Sequence, residues 1–172
     1  MESVRRDDIP IHKRMSGGGA VLLSPGCLCL ALRFAKLKEI TIQGYFAKAS
    51  ALISEIVKAK LGLDLRLRGT SDLACGIPAS RNSELGNRIA ESESQVDGMA
   101  ERKVAGCALY MPRDYVLYLA SILVDPDIAA IEKYLAHPSK EPEYRSGRKH
   151  ADFLAGLGPL SGKALRPQEM LS

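Results

Sequence analysis

A chain of 172 residues with 46% hydrophobic content is long enough for one domain with its own core. Its net charge of +4 is mild, with basic and acidic residues interleaved, which favours an anionic ligand or acidic partner surface over nucleic acid; 5% aromatic content without Trp excludes a stacking platform for single strands. The apolar run over residues 20–32 is broken by Ser24-Pro25-Gly26, is too short to span a bilayer and follows Glu2, Asp7 and Asp8 rather than a basic leader, so a cytoplasmic chain with no membrane contact is expected.

Residues 9–34 read as two or three strands around Arg14-Met15-Ser16-Gly17-Gly18-Gly19-Ala20-Val21. An ordinary turn needs one glycine, or two in a primed hairpin, and each further glycine is costly to order. The third marks close approach of backbone to something, and exposed N–H groups beside Lys13 and Arg14 suit a phosphate or carboxylate. A glycine-rich hairpin without a ligand is the plainer alternative. No Gly-Lys-Ser/Thr ending and no Gly-x-Gly-x-x-Gly spacing is present, which excludes the nucleotide P-loop and the dinucleotide fold. Cys27 and Cys29 would share one strand face as small buried hydrophobes. With Cys75 and Cys107 they lack Cys-x-x-Cys spacing, so no metal site is expected.

Tyr45, Ala49, Leu52, Ile53, Ile56, Val57 and Leu61 recur at helical spacing, predicting a helix over residues 44–61 that stops at Gly62 and packs one face on a sheet. Residues 63–73 alternate as a half-buried strand. Residues 77–98 form a polar insertion, a loop or lid with at most a marginal helix over 83–93. Residues 102–110 and 115–124 read as a strand pair joined by Met111-Pro112-Arg113-Asp114. Asp125-Pro126 is expected to cap a second helix carrying Ile128, Ile131 and Leu135. Residues 139–150 are charged and expected to face solvent, and Phe153, Leu154 and Leu157 predict a short closing helix. The fold class is α+β, a mixed or antiparallel sheet packed with helices, with residues 1–172 as a single domain.

Two further segments complete a pattern: Gly69-Thr70-Ser71-Asp72-Leu73-Ala74, and Glu101-Arg102-Lys103-Val104-Ala105-Gly106-Cys107-Ala108. With the glycine segment they resemble the catalytic domain of lipoate–protein ligases, in the biotin/lipoate ligase superfamily. That family's glycine motif is Arg-Arg-x-Ser-Gly-Gly-Gly-Ala-Val, changed here only at Lys13, and its lysine motif is Asp/Glu-Arg-Lys-x-Ser/Ala-Gly-x-Ala. The likeness covers roughly residues 9–157, and three motifs in order are far more specific than one. The resemblance implies a two-step reaction: lipoate and ATP, with Mg2+ accompanying the nucleotide, give lipoyl-adenylate and pyrophosphate, and the acyl group then passes to a lysine of a lipoyl domain. Acceptors would be 2-oxoacid dehydrogenase acyltransferase subunits and the glycine cleavage H protein. Carried over residue by residue, Arg14 and the backbone of Gly18, Gly19, Ala20, Val21 and Leu22 would hold nucleotide and acyl phosphate, and Lys103 would contact the acyl carbonyl and α-phosphate. Asp72 would orient magnesium or the adenylate, although a turn-forming aspartate explains it nearly as well. The apolar hairpin around residues 27–32 would line the acyl tunnel, where burial contributes about 0.8 kcal/mol per CH2.

The chain also departs from that family. Members carry about 40 to 70 further residues before the glycine motif, so this chain is expected to be truncated at its N-terminal side, leaving a sheet edge exposed. The usual His-Gly-Thr/Ser-Leu segment is replaced by Leu119-Ala120-Ser121-Ile122-Leu123, and the accessory domain of some ligases would be a second polypeptide. Two alternatives stay open. Octanoyltransferases of the same fold use a cysteine nucleophile, for which Cys75 lies in about the right interval. A degenerate domain would bind acyl-adenylate or a lipoyl domain without turnover.

Overall fold

The computed structural model describes residues 2–78, 95–96 and 99–170. Its sheet is built from β1 (Cys27–Ala35), β2 (Leu65–Arg68), β3 (Asp72–Pro78), β4 (Gln95–Val96), β5 (Met99–Tyr110) and β6 (Tyr115–Leu123). The strand order is β1-β6-β5-β3-β2, with β4 paired to β5, and every pairing is antiparallel. The architecture is α+β, as the sequence predicts.

The helix predicted over residues 44–61 is α2 (Ile42–Leu61), started by the Thr41 hydroxyl accepting from the Gly44 N–H and ended by Gly62 in the left-handed region at φ 70°. It lays Phe46, Ala49, Ile53 and Val57 on one face of the sheet, against Leu73, Cys75, Ile77, Val104, Tyr118, Ala120 and Ile122. Leu52 and Ile56, expected in the same stripe, are 43% and 49% exposed. A step of about 100° per residue carries them past the stripe centred on Ala49, Ile53 and Val57.

The β5–β6 pair forms with its turn at residues 111–114, as predicted. The strand predicted over residues 63–73 is instead a hairpin: Gly69 takes φ 54°, turns the chain, and lets Leu65 pair with Cys75 and Arg68 with Asp72. Residues 7–26, predicted to hold one or two strands, carry none. Pro10 and Pro25 lack ladder donors, and the segment between them folds back on its own arginine, as described below. It is preceded by a short helix, α1 (Glu2–Arg6). The marginal helix over 83–93 lies outside the described residues.

After β6 the second helix is α3 (Ile128–Tyr134), capped by Asp127 rather than Asp125. The Asp125 N–H is used by the Gly26 carbonyl at 3.0 Å, which extends the strand pairing past β6 and moves the helix start along by two residues. Gly26 is obligatory there, since a Cβ would lie 1.8 Å from the Asp125 carbonyl oxygen. The predicted closing helix is two short ones, α4 (His150–Phe153) and α5 (Leu157–Ser161). A second cluster of Ala74, Leu123, Ile131, Tyr144, Phe153 and Leu154 forms on the sheet face away from α2. Asp7 fastens the end of α1 to α3, accepting from the Tyr134 hydroxyl at 3.0 Å and Lys133 Nζ at 2.5 Å. Among the described residues, no helix is long and apolar enough to cross a membrane.

The burial pattern of α2 separates two neighbouring substitutions. Ile53→Ala, in the core, should cost about 2–5 kcal/mol, while Leu52→Ala should stay within about 0.5 kcal/mol. Thermal unfolding checks this at roughly 2–4 °C per kcal/mol for a domain of this size; equal shifts for the two variants would contradict the packing.

Candidate active site

Alternation along β3 sends Asp72 and Ala74 to the face away from α2, and Leu73, Cys75 and Ile77 beneath the helix. The partner strand departs from strict alternation. Leu73 pairs with Ala105 while Ala74 pairs with Lys103, so Val104 is an extra residue in β5. Val104 and Ala105 both enter the core under α2. The bulge therefore brings Lys103 and Gly106, three positions apart, to the same face, where an unbroken strand would separate them.

On that face Lys103 Nζ lies 2.7 Å from Asp72 Oδ1. A Cβ on Gly106 would stand 3.3 Å from the ammonium, so glycine leaves the room in which the lysine tip sits. Ser121 faces Gly106 across the strand pair and donates to its carbonyl at 3.4 Å. The main chain of Lys103 is held too: its carbonyl accepts from the Ala155 N–H at 3.0 Å, and Leu154 pairs beside it. The lysine is about a quarter exposed and its carboxylate partner about a tenth.

The other oxygen of Asp72 belongs to Tyr144, whose hydroxyl donates to Oδ2 at 3.0 Å. This overturns the expectation that residues 139–150 simply face solvent. Tyr144, Arg145 and His150 are buried, and the segment lies across the end of β5. Arg148 donates to the Glu101 carbonyl at 2.8 Å and to the Tyr144 carbonyl at 2.6 Å. Arg145 and Arg148 stack over the Phe153 ring at 4.8 and 5.2 Å, and Tyr144 packs against the same ring at 5.1 Å. Arg68 covers the outer face of Tyr144 at 5.4 Å while pairing with the buried Glu101 at 2.8 Å. Burial, then the neighbouring Asp72 charge, pushes the Tyr144 phenol far above the usual tyrosine range, so it remains a donor at every physiological pH. Burial lowers Arg145 and Arg148 below the ordinary arginine value.

The glycine segment is ordered from within. Arg14 Nη2 donates to the Gly17 carbonyl at 2.9 Å and the Gly19 carbonyl at 2.7 Å. Gly18 sits at φ 99°, and a Cβ there would meet Arg14 Nη2 at 2.8 Å. Gly17 and Gly19 face open space, with nothing within 4 Å of a notional Cβ. Among the described residues, the N–H groups from Gly17 to Leu23 find no backbone acceptor, and the solvent-shielded Ser16 hydroxyl has no hydrogen-bond partner. A loop with two of its carbonyls bound by arginine and its N–H groups free fits an anionic phosphate or acyl-phosphate. Ala20 and Val21 are exposed, and Leu22 packs against the cluster of Ala74, Tyr144 and Leu154 that borders Asp72 and Lys103. Leu22 thus ties the end of the glycine segment to the lysine's side of the sheet.

The remaining candidates fall elsewhere. Cys75 lies beneath α2, on the face opposite Lys103, and burial pushes its thiol up to about 11. It is neither accessible nor ionised near neutral pH, the reverse of what a thiolate nucleophile requires. Cys107, also under the helix, is likewise pushed up to about 11 by burial. Cys27 is half-buried and Cys29 exposed, not both buried as predicted, because β1 is an edge strand. Within residues 27–32, Leu28, Leu30 and Leu32 pack on the α2-side core, which leaves Cys29 and Ala31 on the face of Lys103. The residues present do not fit a resident Mg2+: both Asp72 oxygens are engaged, and among the described residues no three His, Cys, Asp or Glu side chains cluster.

Tyr144, Arg148 and Arg68 were not legible as site residues. The available signal was a single aromatic set within a charged run, beside arginines that a solvated surface does not need.

A family model for the lipoyl protein ligase A/B catalytic domain matches residues 1–170. A probable lipoate-protein ligase A from Mycoplasma pneumoniae is 23% identical over 135 residues, covering 78% of this chain and 32% of that protein. Among solved structures, the bi-partite lipoate protein ligase of Thermoplasma acidophilum, studied with its E2 lipoyl domain, superposes with a TM-score of 0.70 at 20% identity, covering 99% of this chain and 56% of that one. A lipoate-protein ligase A bound with ATP gives 0.66 at 18% identity, covering 99% and 59%. The chain thus spans about a third of its curated relative and a little over half of these solved chains, whose likeness is one of fold. With the family model spanning nearly its whole length, the chain belongs to the lipoyl protein ligase A/B catalytic domain family.

Proposed function

We propose that this chain is a single catalytic domain that attaches lipoate to a lysine of lipoyl-domain proteins, in the cytoplasm, through a lipoyl-adenylate made from ATP. The observation that carries this reading is the Lys103 ammonium, fixed over Gly106 by Asp72 on the sheet face away from α2. The family membership and the neighbours named for lipoate and ATP support it. A neighbour studied with its E2 lipoyl domain supports a lipoyl-domain acceptor here, such as a 2-oxoacid dehydrogenase acyltransferase subunit or a glycine cleavage H protein.

In this reading the glycine segment receives phosphate. Arg14 binds the Gly17 and Gly19 carbonyls, so the N–H groups on the far side of the same trans peptide planes, those of Gly18 and Ala20, are turned away from its guanidinium and are available to an anion. In the first step a lipoate carboxylate oxygen bonds to the α-phosphorus of ATP and pyrophosphate leaves. In the second, the acceptor amine bonds to the acyl carbon and AMP leaves. Charge grows on phosphoryl and carbonyl oxygens in both, and a cation already in position stabilises it without reorganisation. Asp72 holds Lys103 in place, and the Lys103 backbone is anchored by Ala155, so the lysine tip is placed by two independent constraints.

Lys103→Ala should lower adenylation and lipoylation by on the order of 10²- to 10³-fold. It should also destabilise the protein by about 1–3 kcal/mol, because Asp72 loses its cation but keeps the Tyr144 hydrogen bond. Lys103→Arg should be poor as well, since a planar fork does not replace a compact ammonium. The measurement is lipoylation of an acceptor domain by the full protein, with thermal unfolding as a check on folding. Near-normal turnover by Lys103→Ala would remove the basis of the reading.

The cysteine-dependent alternative makes the opposite forecast for Cys75. With its thiol buried and raised to about 11, Cys75 should resist iodoacetamide at pH 8 while Cys29 is alkylated, and Cys75→Ser should leave turnover within about twofold. Mass spectrometry after incubation with an octanoyl-carrier-protein donor decides between them. An acyl adduct on Cys75 would establish the thioester route.

A further inference from the structure

Lys103 reaches its place through a flexible stem with four rotatable carbons, and one carboxylate oxygen fixes its tip. That oxygen is only as well placed as the carboxylate plane, and a carboxylate held at one oxygen alone is free to rotate about its Cβ–Cγ bond. The second oxygen is held by Tyr144, 72 positions along the chain from Asp72. We propose that Tyr144 is a positioning residue for Lys103, acting through Asp72.

The surroundings of Tyr144 are those of a fixed donor. Its ring is buried between Phe153 on one side and the Arg68 guanidinium on the other. Its carbonyl is bound by Arg148, which also binds the Glu101 carbonyl two residues before Lys103. The backbone turn that carries Tyr144 is thus fastened to the same strand that carries the lysine. The phenol donates its hydrogen bond to the Asp72 carboxylate at 3.0 Å. A tyrosine whose purpose was only to fill the cluster would serve equally well as phenylalanine. Here the hydroxyl ends on the oxygen that fixes the orientation of Asp72, and Gly106 leaves the lysine tip no side chain of its own to lean on.

The proposal rests on the ligase reading for Lys103, so its test uses two readouts. Tyr144→Phe keeps the ring and deletes the hydroxyl. In the full protein it should lower kcat for lipoylation by about fivefold to tenfold, with KM for ATP and lipoate changed less than about twofold, because the loss is one of position at the reacting atoms rather than of uniform substrate binding. In an Asp72→Asn background the same substitution should cause little further loss, since both changes act on one linkage. Independently of turnover, the 15N resonance of the Lys103 ammonium, assigned by its disappearance in Lys103→Arg, should shift in Tyr144→Phe in the direction seen with Asp72→Asn. An unmoved resonance, full activity of Tyr144→Phe, or losses that add in full to those of Asp72→Asn would each overturn the assignment. A wild-type protein without lipoylation activity, or an active Lys103→Ala variant, would count against the ligase reading instead, and the resonance alone would then decide whether Tyr144 orders Lys103.

Discussion

The ion pair between Lys103 and Asp72 is the constraint around which this sheet is arranged. A cation and a carboxylate that are mostly withdrawn from water lose hydration, and only good geometry with further hydrogen bonds offsets that loss. The fold supplies the geometry through a single extra residue in β5, which turns Lys103 to the face of Asp72 and Gly106 while Val104 and Ala105 fill the core behind them. It supplies the hydrogen bonds through Tyr144 and through the Ala155 N–H behind the lysine. Remove the bulge register and neither set of partners meets.

The two faces of the sheet carry different burdens. Under α2 lies an almost wholly apolar core in which Cys75 and Cys107 behave as small hydrophobes with thiols held protonated. On the opposite face a smaller apolar cluster supports a set of charges: Arg68 with Glu101, Lys103 with Asp72, and Arg145 and Arg148 over Phe153. Apolar packing dominates the first face and paired charges the second. That division sets Cys75 apart from Lys103, since one step along β3 carries a side chain from one face to the other.

Where the physics is local, the sequence was readable. The helix α2 announced itself by periodicity and a terminal Gly62; the β5–β6 hairpin announced itself by alternation around a Pro-containing turn. Lys103, Asp72 and the glycine segment were legible because their order and spacing match a known pattern. What escaped was set by long-range pairing. Residues 63–68 alternate as a strand with Leu73 still in phase, and only the pairing of Leu65 with Cys75 reveals that Gly69 turns the chain. Residues 139–150 look solvated because they are charged, yet Arg148 directs its donors to carbonyls of β5 and of its own turn, and Tyr144 to a carboxylate 72 positions away. The glycine segment misled in the opposite sense: its apolar flanks resemble strands, but Arg14 draws the Gly17 and Gly19 carbonyls to itself and holds the loop out of a ladder.

The partners that complete Lys103 come late in the chain. Tyr144, Arg148 and Ala155 all follow it by more than forty residues, so during synthesis at about 5–20 residues per second the lysine waits roughly 3–10 seconds before the Ala155 N–H has even been made. For that interval the nascent sheet holds an ammonium and a carboxylate without the segment that orders them. Much of the α2 face need not wait, because its helix and strands β1 to β6 are present once β6 has emerged, while Ala155, Leu157, Leu160 and Met170 join its core later. The order of translation thus staggers the two faces in time: most of the hydrophobic half can form first, and the charged half is completed only when the last quarter of the protein arrives.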